Sequence, residues 1–276
     1  MTRLVILIGA AVVALLAPPA MADNLPTKAP PPVPATAPTA APANWTGFYV
    51  GLNGGGVWGN SDPSMTTAFS PAQFFFPATV ALINTIGAPH ISPDGGILGG
   101  QIGYNYQAGP IVWGVEIDFN YMATKDFSNI TTLSPNGTFM NLNQAVSTDW
   151  LFTARPRLGY AFNDNLLLYV TGGLAMTDLK YNATYSDQFG SISAGAISGP
   201  RTGWTIGAGL EYALLRNWSV KLEYLYTDFG TVSTSGVPNA TFNATCVAGT
   251  GCANPFTDKA DLKTNIVRLG LNYKLN

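Results

Sequence analysis

The sequence predicts an all-β chain: an eight-stranded antiparallel up-and-down barrel that crosses a membrane, with four long external loops and short turns at the opposite end. Three observations lead there. Eight segments alternate between apolar and polar residues at period two, each about 10 residues or more, enough for a tilted strand to cross a bilayer. The connections between them alternate short and long. Only 10% of the 276 residues are charged, against about 25% in ordinary soluble domains, while 47% are apolar and 30 are glycine. The net charge of −2 gives no electrostatic footprint for nucleic acid.

The N-terminus reads as a processing segment. Arg3 is followed by the apolar stretch LVILIGAAVVALLA, and Ala20-Met21-Ala22 has the small-x-small form of a cleavage site. Residues 1–22 are therefore expected to be a signal peptide, with the mature chain starting at Asp23. No cysteine lies at the cleavage site to carry a lipid. Beyond it no run of about 18 apolar residues occurs. An exported chain of this kind spans a membrane only as a closed barrel, because in lipid only helices and barrels satisfy every backbone group. Residues 23–43 form a Pro/Ala-rich linker, expected to be extended and periplasmic. Residues 44–276 carry the barrel.

In the first segment Phe48, Val50 and Leu52 oppose Gly47, Tyr49, Gly51 and Asn53. Leu98, Ile102, Tyr104 and Tyr106 form the apolar face of the second. The third sets Trp113, Val115, Ile117, Phe119 and Tyr121 against Glu116, Asp118 and Asn120. The fourth sets Trp150, Phe152, Ala154, Leu158 and Tyr160 against Thr153, Arg155 and Arg157. Leu166, Leu168 and Val170 oppose Tyr169 and Thr171 in the fifth. Trp204, Ile206, Ala208 and Leu210 oppose Gly207, Gly209 and Glu211 in the sixth. Trp218, Val220, Leu222 and Tyr224 oppose Lys221 and Glu223 in the seventh. The eighth sets Val267, Leu269, Leu271, Tyr273 and Leu275 against Arg268, Gly270, Asn272 and Lys274. A soluble β-sandwich also alternates, but its outer face carries charges and its aromatics do not gather at strand ends. Here Trp45, Trp58, Trp113, Trp150, Trp204 and Trp218 read as interface aromatics, the girdles of a membrane barrel.

The short links are 108–110, 163–165 and 215–217; the long ones are 59–95, 123–146, 178–201 and 229–262. Short periplasmic turns and long external loops give this rhythm, which puts both termini in the periplasm. Parity fixes register. Outward residues are even-numbered in both the sixth and seventh segments, so paired residues sum to an even number. Pairing Leu214 with Trp218 makes Glu211 face Lys221 inside the barrel, and a one-residue slip would turn every side chain to the wrong face. The stretch NITTLSPNGTFMNL (129–142) reads as an extension of the third-to-fourth hairpin beyond the membrane.

The opening NWTGFYVGLNGG after a proline linker, the run GGQIGYNYQ at 99–107 and the ending IVRLGLNYKLN resemble the small outer-membrane β-barrel proteins of alphaproteobacteria. These are the outer-membrane immunogenic or small porin family, with an OmpA-like eight-stranded barrel. The resemblance covers residues 44–276 and implies a cell outer membrane location, no cofactor, and contact with outer-membrane lipids and lipopolysaccharide. It also implies an insertion signal read by the barrel-assembly machinery, onto which Arg268, Gly270, Tyr273 and Leu275 fall. The chain departs from that pattern in ending Leu275-Asn276 rather than in an aromatic.

Eight strands leave an interior just wide enough to be filled by side chains. The inward charges are Glu116, Asp118, Arg155, Arg157, Glu211, Lys221, Glu223, Arg268 and Lys274. Buried charges must be paired, so these are expected to form a salt-bridge network that plugs the lumen. The two neighbouring carboxylates Glu116 and Asp118 have the makings of an acid–base pair, but arginines lie beside them and no enzyme is expected. His90, the one histidine, lies in the first long link. Its weighed roles are a haem ligand or an ordinary loop residue. Cys246 and Cys252, close together in an exported chain, suggest a loop disulfide rather than a metal site. GGILGG (95–100) opens a strand rather than a helix, so it is not read as a phosphate loop. The Phe74-Phe75-Phe76 run is expected either to fold over the barrel rim or to contact lipid, a host surface or another subunit. The expected function is structural, with a narrow porin as the alternative and ligand or surface-partner binding through the loops as a third.

Overall fold

The computed structural model describes residues 44–69, 75–162, 165–238 and 254–275. The signal-peptide and linker assignments, and the pairing of Cys246 with Cys252, fall outside those residues. The elements run β1 (Gly47–Asn60), β2 (Ser64–Thr67), α1 (Pro77–Ile86), β3 (Gly95–Ala108), β4 (Ile111–Leu133), β5 (Phe139–Phe162), β6 (Leu166–Asp187), β7 (Ile192–Ala213), β8 (Trp218–Pro238) and β9 (Phe256–Lys274). Neighbours pair antiparallel in the order β1-β3-β4-β5-β6-β7-β8-β9-β2, and β1 also pairs with β9, which closes the ring.

The eight alternating segments lie in the eight long strands. The sheet nevertheless has a ninth member, because the first long link supplies β2, which pairs with β9 from Ser64↔Lys259 to Thr67↔Phe256. The long links are also shorter than expected. β4 and β5 have 23 and 24 residues and stay paired to Leu133↔Phe139, leaving only residues 134–138 as a turn. β6 and β7 pair as far as Ser186↔Ile192. The strands continue because backbone groups beyond the membrane still find partners across the hairpin, and the segments 123–146 and 178–201 keep a period-two pattern.

Two halves result. In the first, termed the belt, outward residues are apolar and aromatics sit at its two edges. Tyr106, Trp113, Tyr160, Trp218 and Tyr273 line one edge; Trp58, Tyr121, Trp150, Trp204 and Tyr226 line the other. Trp113 and Tyr121 are eight residues apart on one tilted strand, a height of about 20 Å, close to the apolar band of an outer-membrane barrel. Rings pair along each edge, as in Trp218–Tyr273 (centroids 4.9 Å) and Trp204–Tyr226 (5.5 Å). At the short-turn end Trp45 is an exception to the expected girdle. It is only 6% exposed and turns inward against Val112, Leu167 and Tyr169, because a flat indole fills the barrel mouth where the chain enters. Its backbone N–H donates to Gln107 Oε1 at 2.9 Å.

The second, distal half is filled with apolar side chains: Met122, Met140, Leu142, Val146, Leu179, Tyr181 and Leu262 belong to one buried cluster. α1 and β2 close its top. Pro77 suits the first helical turn, where a backbone N–H has no partner anyway. Val80 and Ile83 point into the barrel, and Gln144 Nε2 donates to the carbonyl of Gly87 at 2.8 Å. Asn84 ties helix to strand, accepting from Thr67 N–H (2.8 Å) and donating to the Thr67 carbonyl (3.1 Å). Phe75 enters the core beside Tyr185 and Phe256, whereas Phe76 stays exposed. The described parts of the first long link thus fold into the mouth, and Phe74 lies outside the described residues.

Candidate functional site: the belt lumen

Period two puts Glu116 and Asp118 on the inner face of β4, and the register sets Glu116 opposite Arg155 on β5. Arg155 donates to Glu116 Oε1 at 2.7 Å, to Asp118 Oδ2 at 2.8 Å and to Glu223 Oε1 at 3.3 Å. Arg268, opposite Glu223 in the β8–β9 pair, donates through Nε to Glu223 Oε2 at 2.7 Å and through its two terminal nitrogens to Asp118 at 3.1 and 3.0 Å. Lys221 Nζ donates to both oxygens of Glu116, at 2.7 and 2.8 Å. The register expected for β7 and β8 is present, with Glu211↔Lys221 and Leu214 N–H on the Trp218 carbonyl. The side chains choose other partners all the same. Glu211 binds Arg157 (2.7 Å), Ser219 (2.5 Å) and Asn272 (2.7 Å).

Four carboxylates and four cations therefore share the lumen, all of them buried. Such charges are tolerated in a low-dielectric interior only when both partners and the remaining lone pairs are satisfied. Neutral groups extend the network, although Nε of Arg155 and of Arg157 and Oδ1 of Asn120 have no hydrogen-bond partner among the described residues. Tyr49 donates to Glu116 Oε2 at 2.7 Å and Tyr169 to Glu223 Oε1 at 2.9 Å; Thr153 and Asn120 donate to Asp118 at 2.7 and 2.5 Å. The Arg157 guanidinium lies 4.1 Å from the Tyr169 ring centroid and 5.6 Å from that of Tyr49. Both rings have room because glycines face them: a Cβ on Gly103 or Gly209 would strike Tyr49 or Tyr169. A chain of amides runs from Asn53 through Gln101 to Asn272 and on to Glu211.

Lys274 stands outside this network. It lies at the end of β9, past the last lumen layer, and its Nζ donates to the backbone carbonyl of Asn44 at the rim. Of the residues matched to the insertion signal, Arg268 and Gly270 face the lumen, and Tyr273 and Leu275 are exposed on the outside. Trp58, Trp113, Trp204 and Trp218 are exposed at the belt edges and Trp150 partly so. His90 is exposed, with Nδ1 2.8 Å from Asp62 Oδ1 and Nε2 3.2 Å from Ser92 Oγ. Tyr49, Tyr169, Thr153, Gln101, Asn53 and Asn272 belong to the site although charge alone did not single them out. Parity was the available signal, since each falls on the inward-facing set of its strand.

The arrangement pairs each of its carboxylates with cationic or neutral donors. Every oxygen of Glu116 and Asp118 accepts from an arginine, a lysine or a neutral donor. Trp45 and its neighbours narrow the short-turn end of the lumen, where a small cavity still reaches Tyr49, Glu211 and Asn272, and the distal core lies over the other end.

Comparison with known proteins fits this geometry. A family model described as outer membrane protein beta-barrel domain matches residues 33–274. The chain is 32% identical over 270 residues to the 31 kDa outer-membrane immunogenic protein of Brucella melitensis, covering 96% of this chain and 97% of that one. It is 30% identical over 244 residues to the 25 kDa outer-membrane immunogenic protein of Brucella abortus, covering 88% and 85%. Among solved structures it is similar to the outer membrane protein OprG of Pseudomonas aeruginosa, with a TM-score of 0.38, 12% identity, and 84% and 99% of the two chains covered.

Proposed function

Because this chain belongs to the outer membrane protein β-barrel family, we propose that it is a closed, non-conducting barrel that supports the structure and integrity of the outer membrane and displays its distal half at the cell surface. The observation that carries this reading is the balance of the lumen: four buried carboxylates matched by four buried cations, with a hydrogen-bonded neutral group on nearly every remaining oxygen. A water-filled path would need to break pairs whose separation leaves uncompensated charge. In this reading the short turns and both termini are periplasmic, the barrel-assembly machinery inserts the chain through its last strand, and no reaction is catalysed.

The test is electrical. The mature chain, refolded into a planar bilayer, is expected to give no single-channel steps at any salt concentration, while its gel mobility changes on heating as a folded barrel's does. Reproducible steps whose size follows salt, and shifts when Arg155 or Glu116 is replaced, would overturn the closed-barrel reading in favour of a narrow porin for ions or very small solutes.

A further inference from the structure

Above the upper aromatic edge, the outward face of β4–β7 carries side chains of an unusual kind. The register aligns them in rows. Phe127, Ala145, Asn182 and Ala196 form the lowest; Asn129, Asn143, Thr184 and Ala194 the next; Thr131, Asn141, Ser186 and Ile192 the third; Leu133 and Phe139 cap the top. None of these residues is charged. Residues 127–147 contain no Asp, Glu, Lys or Arg at all, where an ordinary exposed segment of that length would hold about five. Burial does not account for this, since Phe127, Asn129, Thr131, Phe139 and Asn182 are all exposed.

The polar groups are amides and hydroxyls held in order by the sheet. Asn141 Nδ2 donates to Asn129 Oδ1 at 2.6 Å and to Thr131 Oγ1 at 2.8 Å, which fixes two rows relative to each other. The Nδ2 group of Asn129 and the whole side chains of Asn143 and Thr184 keep their hydrogen-bonding capacity among the described residues. Phe127 and Phe139, both 60% exposed, stand at opposite ends of the platform. Phe127 and the top row, six residues further along β4, are separated by about 20 Å. An array of paired donors and acceptors between exposed aromatic faces matches a pyranose, which offers vicinal hydroxyls at its edge and a C–H face for stacking. With no cation to offset a ligand's charge, the face favours a neutral ligand over a phosphate or sulfate. Charge is confined to the level just below, where Lys180 pairs with Asp149 and Asp178 and Lys125 lies beside them.

The platform lies on the flank of the barrel, one charged level above the belt. It therefore faces sideways, toward neighbours in the same membrane surface, not outward toward an approaching soluble partner. We infer that the outward face of β4–β7 binds the neutral sugar chain of the glycolipid surrounding the barrel in its own outer leaflet. This rests on the outer-membrane placement above and does not depend on whether the lumen conducts.

The probe is the outer sugar chain of lipopolysaccharide, released by mild acid and freed of its acidic inner-core sugars so that it is neutral, titrated against the refolded barrel in detergent, with a sulfated glycan of similar length in parallel. The side-chain amide resonances of Asn129, Asn141 and Asn143 are expected to shift saturably with the neutral chain and to stay put with the sulfated one. The Asn129→Ala/Asn143→Ala variant should lose about tenfold in affinity, as two hydrogen bonds of ordinary worth imply. Thr257→Ala on the opposite flank should change nothing. Heat-modifiable gel mobility checks that both variants fold. Absent shifts, equal response to the sulfated glycan, or unchanged affinity in the double variant would each overturn the proposal. Channel recording of the same variants separates the two readings, because a silent bilayer upholds the closed barrel whichever way binding falls.

Discussion

The belt is built from all eight long strands and the distal half from six of them, β4–β9, with β2 and α1 added, and the two have opposite polarity. In the belt the charges are inside and the apolar residues outside; in the distal half Met140, Leu142 and Val146 are inside while Asn141, Asn143 and Ser147 face out. The reversal is achieved partly by inserted residues at the boundary. Register shifts fall between Tyr121 and Thr124, between Ser147 and Leu151, and between Asp228 and Thr231, all at the upper aromatic edge. One extra residue exchanges the two faces of a strand. β5 and β8 use this directly. The even-numbered residues Trp150 and Phe152 point outward below the shift, and Met140, Leu142 and Val146, also even, point inward above it. A strand can thus keep one apolar parity along its whole length while its surroundings change from lipid to water.

The comparison breaks most severely if a belt charge is removed. Arg268→Ala would leave Glu223 and Asp118 short of their main partner in a buried site, and stability should fall by about 3–5 kcal/mol. Urea unfolding in lipid vesicles measures it. Truncating Lys180, whose partners Asp149 and Asp178 lie on the outer surface, should leave the midpoint where it is. Equal effects of the two would mean that the lumen is as well solvated as the surface.

A smaller and more local effect is expected in the distal core. Leu142 is fully buried among apolar neighbours there, so Leu142→Ala should cost about 2–4 kcal/mol through lost burial and a residual cavity. The damage should stay above the boundary. Amide exchange is expected to speed up in the upper parts of β4–β6 and in α1, while belt amides and heat-modifiable mobility remain as before. A uniform loss of protection in both halves would show that they unfold as one unit.

The two halves also differ in how much of them could be read from residues alone. The belt was legible because lipid outside and charge inside give strong contrast at period two, and parity together with a Leu214–Trp218 pairing across the short turn set Glu211 opposite Lys221. The network's actual contacts were not, because long side chains reach past their nearest neighbour: Lys221 crosses to Glu116, and Lys274, inward by parity, lies beyond the last layer. Trp45 could not be told from a girdle residue, since alternation does not say which aromatic tucks into a mouth. In the distal half the contrast is between apolar residues and neutral amides. The Pro-Asn-Gly turn still marked 129–142 as an extension of its hairpin, which pairs as far as Leu133↔Phe139. The segment 178–201 has no such turn signal and read as a long loop, although it is paired strand as far as Ser186↔Ile192.

The last difference between the halves concerns a lone charge. Every carboxylate in the belt lumen has a cationic partner, but Asp258, buried inside the distal half on β9, has none for either oxygen among the described residues. Burial lifts its carboxyl from 3.8 to about 6. The folded chain therefore holds this proton more tightly than the unfolded one. Stability contributed by the neutral acid is complete below the unfolded value and is lost as pH rises toward about 6. Two pK units correspond to about 3 kcal/mol, from which the unpaired amide of an Asp258→Asn replacement would take back about 1–2. The variant should thus be more stable than the parent by about 1–2 kcal/mol at neutral pH, and the gain should vanish toward pH 4. Urea midpoints of both proteins across this range test it. Profiles that run parallel would mean that Asp258 is ionised in the folded barrel at all these pH values, with a partner or water supplying what the described side chains do not.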